Sequence, residues 1–366
     1  MADQRTNTLS RRQLAILLWA VMVSPLIRQV PGTMTALGGR AVWLSVLLAV
    51  PAVLLLGWFI AVFLRSRREG EGLGELICRS VGQWPGRIVT GVFALWLTFY
   101  AGFVLRAGAD RFVSAVFPDS PVWLFMAVTL LICLPAGLGR LKTLARCAQV
   151  TTPLLAAVFA LVFLFCFQNV EPDNLWPLQA GDLPGAAEGA LPLLTTLSVG
   201  VYLAFLTGKV ESGKLFASFI LPLLVLTGLG FLLCVTTIGT FGEELTEEMN
   251  YPFFVMIRSI RIFNLLERVE ALVVAQWVVA DFLLLGTLLQ IGPTLFTLTF
   301  YGQGQERKPL TEWLCVGLLG LTAVFCAPTA FALRWVAQTV IPMGNAALVF
   351  GVLPLIFLIG KLRKRL

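Results

Sequence analysis

The sequence predicts an all-α integral membrane protein of about ten spans, and three observations carry that expectation. Hydrophobic residues make up 58% of the 366 positions and charged ones 13%, with a mean hydropathy of +0.88. A soluble domain has roughly 45–50% apolar and about 25% charged residues, so lipid must be the solvent here. Apolar runs of about 20 residues, the length that crosses a hydrocarbon core, recur along the whole chain. The charges in the connections alternate, basic then acidic, from one end to the other.

The spans fall at roughly 13–37, 41–64, 87–116, 121–139, 143–167, 188–208, 214–240, 268–300, 311–331 and 336–360. No polar stretch is long enough for a separate soluble domain, so residues 1–366 read as a single transmembrane permease-like domain. Arg5, Arg11 and Arg12 precede the first apolar run, as in a signal peptide. No small-residue cleavage site follows and the pattern runs past Ala36, so the run is read as a retained span.

One side receives the N-terminal arginines, then Arg65, Arg67, Arg68, Arg79 and Arg87, then Arg140 and Lys142. Lys209, Lys214, Arg307, Lys308 and the tail 361–365 join them. The other side receives Asp119, then Glu171, Asp173, Asp182 and Glu188, then Glu243, Glu244, Glu247 and Glu248. Both termini are therefore expected to be cytoplasmic, because cytoplasmic loops carry the excess of Lys and Arg. The net charge of +7 follows from this topology and from inner-leaflet lipid, not from a nucleic-acid partner. Two shorter segments remain. RSRREGEGLGELICRSVGQWPGR, 65–87, holds a short amphipathic helix around Leu73, Leu76 and Ile77. PFFVMIRSIRIF, 252–263, reads as an interfacial or outer-face helix leading into span 8, whose outer end Glu267 and Glu270 cap beside Arg268.

Ten spans divide into five plus five, and an odd-numbered half inverts its second copy. Repeat 1 would run over about 13–167 and repeat 2 over about 188–360. Transporters built this way bind at the midplane, where the first helix of each repeat is broken. Span 1 has Ser24-Pro25 and Pro31-Gly32; span 6 has LLTTLSVGVYL, with Thr195, Thr196, Ser198 and Gly200 in an otherwise apolar run. A proline kink in the one and a small-residue packing face in the other would account for the same residues.

Nothing in the chain reads as an enzyme or as holding a cofactor. The sequence has no histidine, which removes the usual general base and the commonest metal ligand. The seven cysteines are scattered singly and read as small buried hydrophobes. GEGLG at 70–74 follows arginines on a membrane loop and opens no βαβ unit, so it is no nucleotide motif.

Five stretches carry a family resemblance by their order and spacing: LSRRQL at 9–14, LRAGADRFVSAVFPDSPVW at 105–123, GLGRLKTLARCAQVTTPLL at 137–155, NVEPDNLWPL at 169–178 and LLERVEALVVAQW at 265–277. With them the chain resembles, over nearly its whole length, the B subunits of bacterial spore germinant receptors. These are permease-like members of the amino acid–polyamine–organocation superfamily. The resemblance implies a LeuT-type fold with broken helices 1 and 6, and the sensing of a small, amino-acid-like germinant. It also implies assembly with an A-type subunit and a lipoprotein C-type subunit in the spore inner membrane. Two departures stand out. SPLIRQVP occupies the span 1 break where the family usually has small residues leading to a leucine–proline pair, and SVGVY, 198–202, lacks the acidic residue common in relatives. Alanine is therefore not assumed as the ligand.

Ionisable groups inside spans cost several kcal/mol on insertion scales, which makes each a site candidate. Arg28 in span 1 and Asp281 in span 8 both fall near mid-depth. In LeuT-type folds these spans face each other beside the substrate. Arg28 is expected to pair with Asp281 in place of a cation held there by some members, or to clamp a ligand carboxylate with its planar fork. Snorkelling to an interface would account for Arg28 with no site at all. Ser24, Pro25, Thr196, Ser198, Gly200 and Tyr202 complete the expected ligand site, with Tyr100 and Gln276 as further pocket polars. Arg106 and Asp110, four apart on span 3, are expected to form a structural ion pair. A ligand-sensing receptor subunit, a secondary transporter of amino acids or related solutes, and a scaffold with a vestigial pocket all fit this pattern.

Overall fold

A computed structural model of the chain describes residues 8–249, 251–259 and 269–365. Among them the regular structure is helical, and the one β contact is an isolated parallel bridge between Leu9 and Val210. Seven apolar helical runs are long enough to cross a membrane. The first of them, Arg11–Arg65, is divided at the turn Gly39–Ala41, and two shorter apolar helices, Val122–Leu138 and Pro309–Phe325, complete the set of ten expected spans. Gly39 has φ +51, and a Cβ there would stand 2.8 Å from Glu243 Oε1, so this turn is open to glycine alone. Outward faces are apolar: Leu131, Phe325 and Phe331 are 69%, 74% and 82% exposed, as lipid contact requires.

Span 1 runs from Arg11 to Gly38 and begins at a capping box. Ser10 Oγ accepts from the Gln13 N–H at 3.1 Å, while Gln13 Oε1 accepts from the Ser10 N–H at 2.9 Å. The interruption expected at Pro25 and Pro31 does not unwind this helix, which is continuous through both prolines. Each proline removes one backbone donor and leaves φ near its helical value. Inside a packed bundle the remaining backbone groups have no water to turn to, so the helix persists. Thr35 Oγ1 returns a bond to the Pro31 carbonyl at 2.6 Å. Span 6 behaves differently. It is α-helical over Asp182–Ser198 and 3₁₀ over Val199–Lys209, so the SVGVY segment is the point where helix type changes. Runs of 3₁₀ beyond 3–4 residues are uncommon, and one inside a span often marks a hinge.

The remaining spans are Val42–Arg65, Gln83–Val116, Val122–Leu138, Leu141–Cys166, Phe216–Glu248, Val269–Tyr301, Pro309–Phe325 and the last, Ala330–Leu362. The last span contains two π stretches, Val336–Val340 and Ala347–Val352, either side of Ile341–Ala346. Packing has a simple exchange symmetry. Span 1 packs on spans 6 and 7, and span 6 on spans 1 and 2; span 3 packs on spans 8 and 9, and span 8 on spans 3 and 4. Exchanging the first five spans with the last five maps these pairs onto one another, whereas the packing of span 8 on spans 1 and 5 has no comparably extensive counterpart between span 3 and spans 6 and 10.

Two short helices close the ends of this bundle. Leu73–Val81 buries Leu73, Leu76, Ile77 and Val81 against span 3, the 3₁₀ end of span 6 and the end of span 10. Pro252–Ser259 buries Phe253, Phe254, Met256 and Ile257 against spans 1, 5, 7 and 8. Residues 260–263 of the expected outer helix lie outside the described residues, as do the side chains of Glu267, Arg268 and Glu270.

Candidate functional site

Three spans bring chemistry to one place through ordinary helical spacing. Ser24 and Arg28 are one turn apart on span 1, Gly108 and Arg111 on span 3, and Trp277 and Asp281 on span 8. Ser24, Arg28, Arg111 and Asp281 are all buried. The Asp281 carboxylate takes two donors: Ser24 Oγ gives to Oδ1, and Arg111 Nη2 gives to Oδ2 as an ion pair. The Arg111 guanidinium lies over the Trp277 ring, 4.7 Å from its centroid. Gly108 lets span 3 approach this closely, since a Cβ there would be 2.9 Å from Asp281 Oδ2.

The expected pairing of Arg28 with Asp281 is therefore corrected. Arg111 holds that carboxylate, with Ser24 on its other oxygen, and among the described residues Arg28 makes no ion pair. Arg28 instead stacks over Phe103 at 5.0 Å from the ring centroid. Its Nε, Nη1 and Nη2 are all buried and none makes a well-aligned hydrogen bond, though the Tyr100 hydroxyl stands beside the guanidinium. It does not snorkel, for the residue is only 9% exposed. Arg111 Nη1, Tyr100 Oη and Trp277 Nε1 are likewise buried and unpartnered. Arg28 and Arg111 face a small cavity lined also by Ile27, Tyr251, Phe253, Phe254 and Trp277. Phe254 packs against Trp277 with ring centroids 4.9 Å apart and planes tilted by 52°, and with Phe253 it makes the short helix Pro252–Ser259 an aromatic wall of this cavity.

The other expected residues form a second polar group. Thr196 Oγ1 donates to Gln29 Oε1 at 3.2 Å, and Gln29 Nε2 reaches the Ala337 carbonyl in the first π stretch at 3.4 Å. Tyr202 Oη and Trp96 Nε1 both donate to Asn345 Oδ1, at 2.9 and 3.0 Å. Ser198 Oγ returns to the Thr195 carbonyl at 2.7 Å within its own helix, and Gly200 faces Leu18. Pro25 is buried in span 1 beside Ser24. Gln276 Nε2 donates to the Leu155 carbonyl at 2.9 Å, tying span 8 to span 5. Thus Arg28 alone of the expected residues lines the cavity, Ser24 and Asp281 lie behind its Arg111 wall, and Thr196 and Tyr202 connect spans 6, 1 and 10. Arg106 Nη1 donates to Asp110 Oδ1 at 3.1 Å, and Arg106 Nε to the Ala327 carbonyl at 3.2 Å.

Arg111, Gln29, Trp277 and Asn345 went unassigned in the sequence. For Arg111 a signal existed: Arg106 satisfies Asp110, which leaves the adjacent Arg111 without a local partner and Asp281 without one on its own span. Among the described residues no group of three His, Cys, Asp or Glu side chains stands where it could hold a metal ion.

Residues 8–326 match a protein-family model described as Spore germination protein, a spore permease. Spore germination protein YndE of Bacillus subtilis (strain 168) is 24% identical, over 98% of this chain and 98% of its own length. Spore germination protein KB of the same organism is 19% identical, over 75% of this chain and 74% of its own. Two solved structures share the architecture. A crystal structure of MhsT in complex with L-phenylalanine has TM-score 0.62 at 15% identity, covering 95% of this chain and 98% of that one. Mhp1, a nucleobase-cation-symport-1 family transporter in a closed conformation with bromovinylhydantoin bound, has TM-score 0.65 at 12% identity, covering 94% and 77%. At these identities the likeness fixes the fold, which is of the LeuT type.

Proposed function

The chain belongs to the spore germination permease family, and from that premise we propose that it is the germinant-sensing membrane subunit of a spore germination receptor. Its small ligand binds in the cavity between spans 1, 3 and 8, with Arg28 as the anchor for a carboxylate. One observation carries this reading: Arg28 is a buried guanidinium with no well-aligned hydrogen bond on any of its three nitrogens, facing a cavity. A guanidinium stays charged in proteins, and an uncompensated buried charge is strongly destabilising unless something pairs with it. A carboxylate matches its planar fork with two parallel bonds. Ser24 and Asp281 then hold Arg111 in place at the cavity wall, and Thr196, Tyr202, Ser198 and Gly200 belong to the element that responds. Ligand binding signals by favouring one arrangement of the span 6 helix junction over another.

In this reading the termini are cytoplasmic, the membrane is the spore inner membrane, and A-type and lipoprotein C-type subunits assemble with the chain. The halves 13–167 and 188–360 act as the two inverted repeats, which the exchange symmetry of packing supports. A secondary transporter of amino acids or related solutes is the second reading, favoured by the fold shared with Mhp1. Uptake of labelled amino acids into proteoliposomes under a proton or sodium gradient separates the two, since a receptor subunit gives none.

The direct test is Arg28→Lys in the assembled receptor. Lysine keeps the charge and loses the fork, so the germination dose response should shift to roughly tenfold higher ligand or more, with membrane assembly intact. An unchanged dose response removes Arg28 as the anchor.

A further inference from the structure

Charge balance at the cavity narrows the ligand class. Resting on the reading of Arg28 as anchor, we infer that this site takes a small monoanionic acid with an apolar body and no ammonium group, in preference to a zwitterionic amino acid. Among the described residues, two guanidiniums, Arg28 and Arg111, face the cavity, and one carboxylate, Asp281, is beside them. The neighbouring Arg106–Asp110 pair is internally neutral. Among these residues one positive charge is thus left over in a buried place, and a ligand of net charge −1 neutralises it. A zwitterion leaves it uncompensated.

The hydrogen-bonding inventory points the same way. Around the two guanidiniums the unpartnered buried atoms are Arg28 Nε, Nη1 and Nη2, Arg111 Nη1 and Trp277 Nε1, all donors, with the Tyr100 hydroxyl; Gln276 Oε1, on the residue next to Trp277, is a neutral acceptor without a partner. A carboxylate accepts from such a set, whereas an ammonium meets no carboxylate there, among the described residues, beyond the one already paired with Arg111. Asp281 already takes Ser24 on one oxygen and Arg111 on the other. The carbonyl of Ile27, whose helical donor would be Pro31, is neutral and leaves the charge count unchanged. The walls, Ile27, Phe253, Phe254 and Trp277, are apolar, and the space they enclose is about one water in size, so a hydrocarbon body enters only as the walls part.

The experiment compares matched probes on the full chain, purified in detergent or nanodiscs at pH 7, by isothermal titration and thermal shift. Propionate and 3-phenylpropionate are each set against the 2-amino derivative (alanine, phenylalanine) and the neutral amide. The expected result is binding of at least one acid, about tenfold or more weakening by the added ammonium, and none with the amides. Arg28→Gln should abolish acid binding and Arg28→Lys weaken it, with size-exclusion profiles confirming that both variants remain folded. Alanine or phenylalanine binding as tightly as its parent acid, and lost in Arg28→Gln, overturns the ligand class while leaving Arg28 as the anchor. Acid binding unchanged in both Arg28 variants overturns the anchor and the class together. No shift of the unmutated protein with any of the six probes also overturns the class. The comparison among probes uses the unmutated protein, so it stands even if a variant fails to fold.

Discussion

At the residue scale the decisive contrast lies between the arginines of spans 1 and 3. Arg111 has a carboxylate, an indole face and a glycine that lets the helices meet; Arg28 has an aromatic face and three nitrogens without a well-aligned hydrogen bond. Breaking one side of a buried ion pair costs about 3–5 kcal/mol, because the other charge is left without compensation. Arg111→Met and Asp281→Leu should each destabilise the protein by that order, and the double variant by clearly less than their sum. Arg28→Met breaks no pair, so the same denaturation measurement should find stability unchanged or raised. Additive losses in the double variant would show that Arg111 and Asp281 are not coupled.

At the element scale, the short helix Leu73–Val81 makes a pH-dependent contribution. Burial pushes the Glu75 carboxyl above its ordinary value, and hydrogen bonds from the backbone N–H groups of Glu75 and Gly72 offset part of that. The folded state therefore binds more protons than the unfolded one across the window between the ordinary and the raised value. Stability contributed by Glu75 is present below that window and is lost as pH rises through it. Glu75→Gln keeps an acceptor for the Gly72 N–H, which the native side chain meets at 3.0 Å. The variant should gain thermal stability relative to the native protein as pH is raised from about 4.5 to neutral. A difference in melting temperature that does not vary with pH would contradict this. Burial also pushes the Cys78 thiol of the same helix up to about 11, so maleimide should label it slowly at neutral pH.

At the scale of the whole molecule, the alternating loop charges predict opposite faces for residues far apart in sequence. Gln305 lies in the connection before span 9 and Gly181 in the one before span 6. A cysteine replacing Gln305 should react with an impermeant maleimide only from the cytoplasmic side, and one replacing Gly181 only from the outer side. The native cysteines, all buried or half-buried, contribute little background. Labelling of both positions from one side would break the alternation and the ten-span topology with it.

Composition and the run lengths of apolar residues determined, without coordinates, that the chain is helical and spans a membrane about ten times. Both follow from local physics, since every backbone polar group in lipid must be satisfied within its own helix. Insertion cost likewise marked Arg28 and Asp281 as residues of interest from their depth alone. Helical spacing shows that Ser24 lies with Arg28 and Trp277 with Asp281 on one face each, but it is silent on which helices meet. Only the tertiary structure decided that Asp281 goes to Arg111, because span 3 packs on span 8 with Gly108 at the contact. It also decided that span 1 stays helical through two prolines while span 6 changes helix type at SVGVY. Proline content marks where a helix can yield. Whether it does yield depends on what packs around it, and that is a property of the whole bundle.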